Sequence, residues 1–378
     1  MSIVHRLVAR VLPDISRPLF SAPVSTAADD VSALPTTISG PGRAATLRNG
    51  ALFFSALAVV CGAISAARPF PEISGISRKY RHVADHRADY DVLFVGSSRF
   101  HHGIVPPQFD ARIAEITGQR IRSFNFGHDA MWPPESFFIL RKLLALRPPH
   151  LRWVFIDCVA IRTQIDPRNM LTKRTAYWHD ARHTALAWRA LAVEAIPWSD
   201  RVRRAVAHGT LLLRNWTNAG AGAEWLAVEF GVVKRKKSAR GAPAWKSSES
   251  EGYEPEPDTP MTAEKLAEFQ SAVADFRENL PPQPIDRVFR RALDDAIAEV
   301  RAAGAQPVLL LTPTVKEKEN FTGLPDGVPV LRFQDPNAFP QFFDPANCYD
   351  NEHLNHAGAQ LFTAELARRF AELLPPKP

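Results

Sequence analysis

Cysteine is scarce in this sequence: Cys61, Cys158 and Cys348 are the three in a chain of 378 residues. Three thiols build no disulfide framework, and no Cys-x-x-Cys or Cys/His spacing offers a zinc site. They read as buried and free, with Cys158 and Cys348 able to meet at a sheet edge. Charge of one sign is lacking too. Lysine and arginine total 46 against 40 acids, a scattered formal excess of +6. Its one dense run, Lys234-Arg-Lys-Lys237, has no aromatic or motif partner. It reads as a solvated loop, and no nucleic-acid partner is expected. With 46% hydrophobic and 23% charged residues, the composition is that of a folded protein with a substantial core.

Proline, by contrast, is abundant at 32 residues, many of them in the first 40 positions and around 240–285, which marks both stretches as loops. Residues 1–49 carry Ala, Ser, Pro and Thr with little periodicity and read as a disordered tail. Gly50 to Ala67 then runs without a charge, about 18 residues and just enough to cross a bilayer core as a helix. Arg6, Arg10, Arg17, Arg43 and Arg48 precede it and place the N-terminus in the cytoplasm; Arg68, Arg78, Lys79 and Arg81 follow and pull the other way. A buried core helix and a signal peptide cleaved after Ser65-Ala-Ala67 are the alternatives. The expectation adopted is a membrane signal anchor over 50–67. A domain spanning 85–378 then lies outside the cytoplasm, which is the periplasm in a Gram-negative cell.

From residue 91 the chain alternates strand and helix. The apolar runs 92–95, 121–127, 153–159 and 307–312 predict buried strands. Helices are expected over 106–116, with Phe109, Ile113 and Ile116 on one face, and over 134–146 and 286–303, the last closed by Gly304. A terminal helix over 356–374 presents Leu361, Phe362, Leu366, Phe370 and Leu373. Such alternation implies an α/β fold, a parallel sheet covered by helices on both faces. Residues 165–285 interrupt it as an insertion, with helices expected over 181–195 and 200–213 and a flexible loop over 231–260.

The chemistry gathers at two stretches. Gly96-Ser97-Ser98 follows the first strand, at the edge where open α/β sheets place ligands. A serine needs a base to become nucleophilic, and Asp350-Asn-Glu-His353 near the far end supplies a histidine with an acid three residues before it. Read alone, Ser97 or Ser98 could equally cap a helix, and Asp350 could cap the last one. His101, His102 and His128-Asp129 lie near the same edge, and Arg99 reads as a structural contact beside the serines.

Gly96-Ser97-Ser98, Asn125-Phe-Gly127 and Asp350-x-x-His353, in this order, resemble the SGNH (GDSL-type) hydrolases. The closer likeness is to the Gly-Ser-Ser-Arg subgroup of membrane-anchored proteins tied to acyl transfer on surface polymers. The resemblance covers about 90–160 and 285–374. It implies a flavodoxin-like three-layer α/β/α fold with Ser98 as nucleophile, His353 as base and Asp350 as its orienting acid, the last two side by side on one helical turn. It further implies oxyanion donors at the backbone of Ser98 and Gly127, an acylated carbohydrate or other ester as substrate, and no cofactor or metal. The family's third block carries an asparagine; here Asp157-Cys-Val-Ala-Ile-Arg162 stands instead, leaving Arg162, Asn125 or nothing as third donor. Asn125, His128, Asp157 and Arg162 are candidate substrate contacts. The expected function is a serine esterase or O-acyltransferase; the alternative is a non-catalytic scaffold that binds a glycan or a protein.

Overall fold

The structure, a computed structural model, describes residues 42–170, 172–218, 225–226, 229–230 and 250–374. Helix α1 (Arg43–Ala67) is long and apolar enough to cross a membrane, its 25 residues spanning about 37 Å. It begins seven residues earlier than the uncharged run (50 − 43), so 43–49 are helical rather than disordered. Ala44, Ala45 and Leu47 are strong helix formers, and the breaker Pro41 lies just ahead. The rest of the expected tail, 1–41, lies outside the described residues.

The sheet carries the fold. Strands β1 (Val92–Val95), β2 (Ser123–Asn125) and β3 (Trp153–Asp157) precede the short β4 (Gln283–Pro284), then β5 (Gln306–Leu311), β6 (Phe321–Thr322) and β7 (Val330–Arg332). Five form one parallel sheet in the order β2-β1-β3-β5-β7, while β4 and β6 pair separately. Both faces of the central strands β1, β3 and β5 are buried, which is why they read as largely apolar runs. On one face Val92, Phe94, Trp153, Phe155, Val308 and Leu310 pack with helices α4 (Pro106–Thr117), α9 (Ala263–Glu278) and α11 (His356–Ala371). On the other, Leu93, Val95, Val154, Ile156, Leu309 and Leu311 pack with α2 (Ile76–Asp85), α5 (Glu135–Leu144) and α10 (Arg287–Ala302). From β1 the chain steps outward to β2 and then crosses to β3 on the opposite side. The carboxyl end of β1 is thus the point where strand order reverses, and α3 (Ser98–Gly103) starts there.

Several expectations are corrected. Ile116, Leu361 and Leu373 are 42%, 46% and 43% exposed. On α11 the buried stripe is instead Ala359, Phe362, Thr363, Leu366, Ala367 and Phe370, narrow because small residues let the helix approach the sheet closely. Cys158 and Cys348 are free but belong to cores on opposite faces of the sheet and do not meet. The insertion holds α6 (Lys173–Trp178), α7 (Ala181–Val193), α8 (Trp198–Trp216) and α9. Of the expected flexible loop, 231–249, with the Lys234–Lys237 run, lies outside the described residues. Residues 250–258 form a packed strap along β2. Glu251 O accepts the Asn125 N–H at 2.9 Å, and the Glu251 carboxylate accepts from Tyr90 (2.6 Å) and Arg122 (2.8 Å). Gly252 is obligatory in the strap: its φ is +90°, and a Cβ there would lie 2.2 Å from Asn125 O.

Candidate active site

Gly96 ends β1, and a Cβ on it would lie 2.4 Å from the Asp157 Cβ; its absence lets β3 deliver that aspartate to the turn. Asp157 Oδ2 accepts both the N–H (2.9 Å) and the hydroxyl (2.5 Å) of Ser97. Ser97 Oγ in turn accepts the Arg99 N–H at 3.3 Å, capping α3. One serine of the pair is therefore a cap. The other, Ser98, opens the helix with its N–H bonded to no group among the described residues, as the first turn of a helix leaves it.

His353 meets Ser98 from the far end of the chain. Its Nε2 lies 2.7 Å from Ser98 Oγ, and its Nδ1 lies 3.0 and 3.1 Å from the two Asp350 oxygens. Asp350 and His353 share a turn closed by the antiparallel Cys348–Leu354 bridge, before α11 begins, and not the helical turn expected of them. Asp350 Oδ1 accepts the N–H groups of Glu352 and His353, each at 2.8 Å. Burial alone would raise the Asp350 carboxyl; the His353 hydrogen bond and these N–H groups outweigh it and hold it at about 2. The acid is a carboxylate at any working pH, and it fixes the imidazole orientation.

Behind this line runs a buried ionic cluster. Arg99, next to Ser98 and with a side chain 2% exposed, pairs with Glu319 and lies 3.6 Å from Glu352 and 3.9 Å from Glu317. Glu352, next to His353, also binds Lys316. The Arg99–Glu352 contact thus ties the residue after Ser98 to the residue before His353. Burial opposes the Arg99 charge, but Glu319, Asp157 and Glu352 keep it. Burial pushes Asp157 and Glu319 upward, more than the shared guanidinium can offset.

The other named residues divide. Asn125 is fully buried: its Nδ2 donates to Phe100 O (2.5 Å) and Ile104 O (2.8 Å), and its Oδ1 accepts the Gly127 N–H (2.8 Å). Its side chain is committed to bracing α3, and it occupies the Gly127 N–H expected as an oxyanion donor. Asp157 is 2% exposed and serves the Ser97 turn, not the rim. Arg162 pairs with Glu317 and lies 3.7 Å over the Trp132 ring. With His128 it lines a cleft of about 1410 Å³. That cleft adjoins the site through His101 and Asp129 but is lined by none of Ser98, His353 and Asp350. Lys79, expected only as a flanking charge after the anchor, is buried, and its Nζ donates to Asn125 O (3.1 Å) and Gly127 O (2.6 Å). Burial brings its ammonium down to about 7 against the pull of Glu254 and Asp129. Nothing in its sequence surroundings marks it, whereas Glu352 sits inside the Asp350-x-x-His353 motif and could have been suspected.

The chain matches no protein-family model and no curated protein.

Proposed function

We propose that this chain is a membrane-anchored serine esterase or O-acyltransferase of SGNH type, acting on acyl esters of surface glycans. The observation that carries the reading is the continuous line Asp350–His353–Ser98, with contacts of 3.0 and 2.7 Å, at the carboxyl end of β1. Ser98 Oγ attacks the ester carbonyl as its proton passes to His353 Nε2, and the imidazolium is stabilised by Asp350. The Ser98 N–H faces the developing oxyanion. His353 then gives its proton to the departing alcohol, leaving an acyl group on Ser98. Water or a sugar hydroxyl, deprotonated by the same nitrogen, attacks that acyl group; the acyl–Oγ bond breaks and the His353 imidazolium returns the proton to Ser98 Oγ.

A fluorophosphonate probe tests it. Labelling of the full chain is expected, with complete loss in Ser98→Ala; undiminished labelling of the variant removes Ser98 from the mechanism. The second reading, a non-catalytic scaffold, is favoured by the commitment of the Gly127 N–H to Asn125, since one missing oxyanion donor costs about 100- to 1000-fold. It predicts no labelling of either protein.

The anchor supports a single-pass topology. Arg68, Arg78, Lys79 and Arg81 after the apolar run pull the other way, but Lys79 is buried in the fold, and Arg43 and Arg48 before the run favour a domain outside the cytoplasm. A phosphatase reporter fused after residue 378 is expected to be active there, and activity restricted to a cytoplasmic reporter reverses the orientation.

A further inference from the structure

His101 and His102 follow Ser98 by three and four residues on α3, so all three lie along one side of that helix. Asp129 approaches from the loop after β2. Its Oδ1 lies 3.2 Å from His101 Nδ1 and 2.8 Å from His102 Nε2. The remaining ring nitrogens also face oxygens. His102 Nδ1 lies 2.7 Å from Glu254 O, and His101 Nε2 lies 3.4 Å from Glu254 Oε2. Three of the four nitrogens are hydrogen-bonded to acceptors, and His101 Nε2 is buried without a hydrogen bond, yet two neutral imidazoles carry only two N–H groups between them. At least one lone pair is left pointing at oxygen unless positive charge is added, as a proton or as a divalent cation.

We infer that His101, His102 and Asp129 form a binding site for a divalent transition-metal ion. Their three ligand atoms, one from each residue, lie within 4.8 Å of one another, a spread one ion can bridge at ordinary metal–nitrogen and metal–oxygen lengths of about 2.0–2.2 Å. With Nδ1 of His101 and Nε2 of His102 as ligands, the opposite nitrogens carry protons toward Glu254. His102 Nδ1 meets the Glu254 backbone carbonyl at 2.7 Å, and His101 Nε2 lies 3.4 Å from the Glu254 carboxylate, close enough to bond once the ring is protonated there. That is the outer-shell arrangement that orients metal-binding histidines. Glu256 Oε1, 3.5 Å from His102 Nε2, stands ready as a fourth ligand. Both histidines are buried, at 5% and 8% exposure, so their rings are held rather than mobile. Asp129 is exposed on the wall of the large cleft, which provides the entry path. Two imidazoles with carboxylate oxygen suit zinc and its first-row neighbours better than calcium or magnesium, which favour oxygen alone. The His102 ring meets that of His353 edge-on at 5.7 Å between centroids, placing the ion one ring away from the proposed base.

The test uses the full chain, without a polyhistidine tag, stripped with a chelator and titrated with Co²⁺ and then Zn²⁺. Visible Co²⁺ bands that saturate near one equivalent and are displaced by Zn²⁺ are expected. Asp129→Asn, an exposed change that spares the fold, and Glu254→Gln, which removes the outer-shell carboxylate, should weaken binding, by at least about 10-fold for the outer-shell variant. Thermal melting verifies folding of each. Absence of saturable uptake, or uptake unchanged in Asp129→Asn, overturns the site. Ser98→Ala should bind cobalt like the unaltered chain, so this result stands apart from the probe-labelling result.

Discussion

Asp350→Asn is expected to lower turnover of an activated aryl ester by about 10⁴-fold while leaving folding and KM nearly unchanged. The asparagine keeps the shape of the turn, because its Oδ1 can still accept the Glu352 and His353 N–H groups now bonded to Asp350. Its NH₂ then stands where Oδ2 now lies, 3.1 Å from His353 Nδ1, and by donating to that nitrogen it favours the tautomer with the ring proton on Nε2. An Nε2–H donates to Ser98 Oγ and cannot remove the serine proton. Steady-state kinetics checks it; a loss smaller than about 10-fold removes Asp350 from the orienting role. The intact protein should show a matching acid limit. A carboxyl held at about 2 against an ordinary 3.8 contributes stability that is fully present above pH 3.8 and is lost as pH falls through about 2.

How much of this was legible depends on what each residue answers to. The sheet was readable because strands buried on both faces must be apolar throughout, and 92–95 and 153–157 have no other use. The meeting of Ser98 with His353 was readable because that chemistry demands those residue types beside a strand end and an acid. Residue chemistry alone did not separate Ser97 from Ser98, and only the resemblance chose Ser98; in the structure the approach of Asp157, 60 residues away, makes Ser97 a cap and leaves Ser98 for His353. The turn holding Asp350 and His353 was misread as helical because i, i+3 spacing serves an aspartate-led turn equally well. The strap at 250–258 looked like loop because Gly, Glu and Pro punctuate it; its order comes from long-range bonds to Tyr90, Arg122 and His356. Asn125 illustrates the same limit, since a polar residue at a strand end serves equally as brace or substrate contact until its partners are known.

Arg99→Met is expected to cost about 3–5 kcal/mol of stability, the usual consequence of removing one partner from a buried ion pair. Methionine fills much of the volume, so the loss is electrostatic rather than a cavity. Glu319, Asp157 and Glu352, which are 6%, 2% and 6% exposed, would share the interior without the guanidinium that now offsets them. The pH dependence separates this from simple misfolding. Burial already raises Glu319 above its ordinary 4.5 and Asp157 above its ordinary 3.8. A raised carboxyl favours the fold fully below its unfolded pKa and loses that contribution as pH rises through its folded value. Without Arg99 both are raised further, so their ionisation costs more at alkaline pH. Thermal melting of the full chain in detergent should therefore show a larger drop for Arg99→Met at pH 8 than at pH 5, where less buried carboxylate charge has to form. An equal drop at both values shows that Arg99 acts through packing alone. Glu352 loses its partner next to His353, so ester turnover should fall even at temperatures where the variant is folded. Arg99→Lys restores charge without the planar fork that reaches Glu319 and Glu352 together, and should recover stability at pH 8 only in part.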